Sequence, residues 1–87
     1  MNRDVQPNKA DVFMNELRQF VRQIRAYRDR TERGNAVAEL HKRSYKRYVS
    51  LEQLEKKRRL TDRQRRRWRR IKADCKAELP EMFGETV

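Results

Sequence analysis

The chain has 87 residues, of which 36% are hydrophobic and 43% charged, and its net charge is +11. A chain this short buries only about 60–65% of its unfolded surface, so its core is thin and there is little room for a second domain. One cysteine and one histidine exclude an intrachain disulfide and the three- or four-ligand Cys/His sets of ordinary metal sites.

The helical reading begins at Pro7-Asn8, where Asn8 can cap a helix and Asp11 stands at its third position. Phe13, Leu17, Phe20, Ile24 and Tyr27 then recur at spacings of four, three, four and three, a seam of heptad type that Val21 widens. Arg18, Arg22 and Arg25 fall on another face. The charged run from Arg28 to Arg33 reads as solvated, and Gly34 suits a left-handed C-terminal cap. Helix 1 is therefore expected over about 9–33.

Asn35 can cap a second helix, expected over 36–48, whose narrow apolar stripe of Val37, Leu40, Tyr45 and Tyr48 suits packing against helix 1 as a hairpin. Ser50-Leu51-Glu52-Gln53 carries a capping-box signature, with Val49 and Leu54 spaced as a hydrophobic staple. It predicts a break at Val49-Ser50 and a third helix over 51–79. Thr61-Asp62-Arg63-Gln64 repeats the signature and marks a further break or kink near 60–61. The rival is one continuous helix over 36–79. Pro80 ends the last helix, and 80–87 reads as an acidic tail. The predicted fold class is all-α: a small helical hairpin or three-to-four-helix protein with a long, arginine-rich C-terminal helix, forming a single helical domain over 1–87.

Charge is concentrated rather than spread. Residues 56–72 hold eleven Lys or Arg against Asp62 alone, a net of +10, whereas residues 73–87 carry a net of −3. The basic set is Lys56, Lys57, Arg58, Arg59, Arg63, Arg65, Arg66, Arg67, Arg69, Arg70 and Lys72. On a helical wheel Trp68, Ile71, Cys75 and Leu79 share one stripe with Gln64, while Arg59, Arg63, Arg66 and Arg70 project oppositely, with Arg67 and Arg69 on the flanks. Guanidinium forks match phosphate oxygens, and crowding like charges is unfavourable until an anion arrives. All eleven are candidate nucleic-acid contacts. Trp68, Tyr45 and Tyr48 lie among basic residues and are candidates for stacking on a base, although packing is the blander reading for each. Phe13, Leu17, Phe20, Ile24 and Tyr27 are read first as core, and alternatively as the face of a homodimer.

The stretch Gln64-Arg65-Arg66-Arg67-Trp68-Arg69-Arg70, followed by Lys76-Ala77, resembles the arginine-rich RNA-binding helix of lambdoid phage antitermination proteins. The likeness covers about residues 64–78 and implies phosphate-contacting roles for Arg65, Arg66, Arg67, Arg69 and Arg70. It departs from that family in lying near the C-terminus of a patterned helical chain. Leu60-Thr61-Asp62-Arg63-Gln64 with Trp68 also looks like the start of a homeodomain recognition helix, but Arg65 and Arg69 stand where that fold buries apolar residues.

Catalysis finds no constellation: His41 and Cys75 are each alone and no glycine-rich phosphate loop occurs. The expectation is a non-enzymatic accessory or regulatory protein without cofactor or metal, binding nucleic acid with RNA slightly favoured over DNA. The alternative is a phage-type adaptor or inhibitor, or a ribonucleoprotein subunit, docking its basic helix on an acidic protein surface. No apolar run approaches the roughly 18–20 residues of a membrane span, and MNRDVQPNKADVF lacks the apolar block of a signal peptide. A cytoplasmic location, or packaging in a particle, is the corresponding expectation.

Overall fold

The structure, a computed structural model, describes residues 9–28 and 35–84. Among them every regular element is helical: α1 (Lys9–Arg28), α2 (Asn35–Lys56), α3 (Asp62–Glu78) and the single turn α4 (Pro80–Phe83). The Asn8 cap, the Gly34 cap and the stretch 29–33 lie outside the described residues. Cross-helix pairs give the directions. Arg47 Nε donates to Glu16 Oε1 at 2.6 Å, joining α2 to α1, which the remaining pairs make antiparallel. Lys72–Glu52 and Arg69–Glu55 make α2 and α3 antiparallel as well. Asp11 near Arg67 and Arg25 near Glu78 then place α3 parallel to α1. The chain goes up, down and up, and α4 folds back onto α2.

Packing on two neighbours shifts the buried face of α1 from its predicted position. The buried stripe is Ala10, Met14, Leu17, Val21 and Ile24, again at spacings of four, three, four and three. Leu17 and Ile24 were on the predicted seam, whereas Phe13, Phe20 and Tyr27 sit at its edge, half-buried. Arg47 of α2 lies over the Phe13 ring, 4.5 Å from its centroid, so one guanidinium both covers an aromatic edge and pairs with Glu16. Leu17 (0% exposed) and Ile24 (2%) of that seam belong to the chain's own core.

α2 runs through Val49-Ser50 without interruption, which corrects the predicted break there. The cause is packing. Ser44, Tyr48 and Leu51 stand at spacings of four and three and are all buried, and only unbroken helical phase keeps them on one face. Ser44, fully buried, satisfies its hydroxyl by donating to the His41 carbonyl at 3.0 Å.

The real break is at 57–61, and it is a reversal rather than a kink. Lys56 to Arg59 offers no apolar residue to pack and only like charges at helical spacing, while Leu60 is buried and draws the chain inward. α2 closes with a Schellman motif: Arg59 N–H donates to the Leu54 carbonyl at 2.9 Å and Arg58 N–H to that of Glu55 at 3.0 Å. Arg58 occupies the left-handed position with φ 57°. Thr61 then caps α3 in a complete capping box. Gln64 N–H donates to Thr61 Oγ1 at 3.1 Å, and Thr61 N–H donates to Gln64 Oε1 at 3.0 Å.

α3 is thus 17 residues long and α2, at 22, is the longest helix among the described residues. The predicted acidic tail is also corrected. Pro80 opens α4, which carries Phe83 (5% exposed) back over the core to stack on Tyr48 at 4.6 Å between ring centroids. Tyr48 meets Trp68 edge to face at 5.2 Å. These three rings tie α2, α3 and α4 together.

Candidate nucleic-acid interface

The buried stripe of α3 is Gln64, Trp68, Ile71 and Cys75, and this orientation decides where each basic residue points. Arg63, Arg66 and Arg70 fall on the opposite strip and are exposed. They span about 10 Å of helix axis. Lys56, Lys57, Arg58 and Arg59, all exposed, continue the track through the turn that precedes α3. No described carboxylate pairs with any of these seven.

The other four members of the predicted set are committed to the chain's own carboxylates. Arg65 pairs with Asp62 one turn earlier. Arg67 reaches α1, donating to Asn15 Oδ1 at 2.6 Å and lying 3.6 Å from Asp11. The same Asp11 accepts from Gln64 Nε2 at 3.3 Å, so it anchors the first turns of α3 on α1. Lys72 pairs with Glu52 at 2.8 Å and Arg69 with Glu55 at 3.7 Å, holding α3 against α2. Arg69 keeps 70% of its side chain in solvent, and so open a pair is worth little. Of the five arginines to which the phage resemblance assigns phosphate contacts, Arg66 and Arg70 have no ion pair among the described residues, while Arg65, Arg67 and Arg69 hold internal partners.

The predicted stacking residues separate cleanly. Trp68 is fully buried and Tyr48 is 7% exposed, so neither offers a ring face to a base; both are core. Tyr45 is 52% exposed.

Two cations beside α3 carried no assignment from sequence. Arg18 and Arg22 of α1 are exposed and line a hollow of about 170 Å³ against Asp74, Cys75 and Glu78 of α3. Their spacing of four was legible, but only the parallel docking of α1 on α3 brings them to this edge. Acidic neighbours make the hollow nearly balanced in charge, unlike the open strip at Arg63, Arg66 and Arg70.

Cys75, at the base of that hollow, is 2% exposed. Burial, with smaller contributions from Glu78 and Asp74, pushes its thiol from an ordinary 9.0 up to about 12. The thiol stays protonated at neutral pH and is a poor nucleophile. Alkylating reagents should therefore label the native protein far more slowly than the urea-unfolded chain. The sign of the linked stability follows. The fold favours the protonated thiol, so this contribution is intact below pH 9 and lost as pH rises from 9 toward 12. Denaturant midpoints of the native protein should fall over that interval more steeply than those of Cys75→Ala.

Among the described residues no group of three or more His, Cys, Asp and Glu side chains could hold a metal ion, and no helix is long and apolar enough to cross a membrane. Comparison of the chain with protein-family models, with curated proteins and with solved structures returned no match.

Proposed function

We propose that this chain is a small, non-enzymatic accessory protein that binds nucleic acid through the phosphate backbone, using the α2–α3 turn and the outer strip of α3. One observation carries the reading: seven exposed cations fall between Lys56 and Arg70 without a carboxylate partner among the described residues. Rigid packing of the opposite stripe of α3 supports it, because the guanidinium groups are displayed from a fixed helix rather than a floppy tail. The N-terminal end of α3 adds its positive partial charge beside the turn. Contacts of this kind position a backbone and read little sequence, so affinity should vary modestly among sequences.

The test is the salt dependence of binding to hairpin RNA, single-stranded RNA and duplex DNA. If five of the seven cations each neutralise one duplex phosphate, log K falls with log salt at a slope of about −4.5, or roughly 500-fold between about 50 and 200 mM. An affinity that stays flat over that range rejects the reading. Recovery of one stoichiometric acidic protein from nuclease-treated lysate, without any nucleic-acid affinity, would favour the adaptor alternative instead.

A further inference from the structure

Tyr45, Val49, Glu52 and Lys56 recur along α2 at spacings of four, three and four, and line one wall of a groove. Lys76 of α3 with Met82 and Phe83 of α4 forms the other, enclosing about 480 Å³. Tyr45 is the one large hydrophobic side chain exposed among the described residues. A lone exposed ring is ordinary on a protein surface, but its surroundings here are specific. The groove's carboxylate, Glu52, is already held by Lys72 at 2.8 Å. Lys56 and Lys76 form no ion pair with a described carboxylate and give the groove its positive charge. Lys56 also belongs to the cationic track, so the groove opens directly onto it, about 16 Å along α2 from Tyr45.

We propose that this groove seats a single-stranded stretch of nucleic acid, with an unpaired base stacked on Tyr45 and phosphates further along the strand held by Lys56 and Lys76. The preferred ligand then joins an unpaired segment to the backbone gripped by the turn and α3. This inference rests on the nucleic-acid reading above. An open ring flanked by lysines suits a flat, anionic ligand. An amphipathic peptide helix would require a row of exposed apolar anchors, and the groove presents one.

The experiment compares the full chain with Tyr45→Ala and Tyr45→Phe, each checked for native helicity. Their affinities are measured for a blunt duplex and for the same duplex carrying a single-stranded extension with 2-aminopurine at one unpaired position. Tyr45→Ala should weaken binding to the extended ligand by about 5- to 150-fold, the range equivalent to roughly 1–3 kcal/mol for a base stacked on an aromatic ring. Blunt-duplex affinity and the salt slope should stay unchanged, because stacking releases no counterion. Tyr45→Phe should retain both the affinity and the 2-aminopurine quenching. Equal loss on both ligands, or no loss on either, overturns the groove assignment while salt-dependent binding persists. Absence of salt-dependent binding in the unmodified chain overturns the underlying reading itself.

Discussion

Arg66→Glu combined with Arg70→Glu should lower nucleic-acid affinity by about a hundredfold or more and make binding less salt-dependent. Both side chains are exposed, neither pairs with a described carboxylate, and they lie one turn apart on the strip opposite the buried face of α3. A hydrogen bond to a charged group contributes roughly 1.5–3 kcal/mol, so losing two accounts for at least a hundredfold. Each reversal also places a carboxylate against a phosphate. The slope of log K against log salt should become shallower by about one unit per lost contact. Helicity and thermal midpoint should hold, which separates the effect from unfolding. The informative control is Arg67→Glu, which breaks the pairing with Asp11 and Asn15 and should act on stability as well. Equal affinity in the double variant and the unmodified protein would mean that the outer strip of α3 is only a solvated face.

Trp68→Ala should come close to unfolding the protein. Its ring is fully buried and contacts Tyr48 edge to face, and Tyr48 in turn stacks on Phe83. Removing a buried tryptophan costs about 3–5 kcal/mol through lost burial and the cavity left behind. A chain of this length is stable by only about 5–13 kcal/mol. With a urea dependence of about 1 kcal/mol per molar for so small a protein, the midpoint should drop by about 3 M, read by far-ultraviolet circular dichroism. Trp68→Phe provides the comparison. The indole Nε1–H is buried without a hydrogen-bond partner among the described residues, a cost of about 1–3 kcal/mol that phenylalanine does not incur. Phenylalanine should therefore recover most of the loss, and a Phe variant as unstable as the Ala variant would contradict this account of the site.

Local chemistry was legible in the sequence wherever it was decided locally. The all-helical class, a break near Leu60 (though not that it reverses the chain) and the Thr61–Gln64 capping box depend on residues within a turn of one another. Ser50–Gln53 shows the limit, since the same motif stands there inside an unbroken helix. What overrides it is burial of Tyr48 and Leu51 in the core, where Tyr48 meets Trp68 of α3 and Phe83 of α4, a fact about helices far apart in sequence. The same limit applies to the basic residues of 56–72. Eleven basic residues were visible, but which of them were already engaged depended on Asp11, Asn15, Glu52 and Glu55 arriving from other helices. Trp68 sat among arginines in sequence and inside the core in space, because it shares the buried face of α3 with Gln64, Ile71 and Cys75. Phe83 was missed because one short turn after Pro80 carries no periodicity to read.

Position 58 sets two demands against each other. Its backbone lies where glycine is at ease and a side chain bearing Cβ is strained by about 1 kcal/mol, and yet it carries a guanidinium. A sequence tuned only for durability would relax that corner, and doing so would delete one of the charges on the track. Backbone ease and positive charge are thus set against each other at a single residue, and the native side chain keeps the charge.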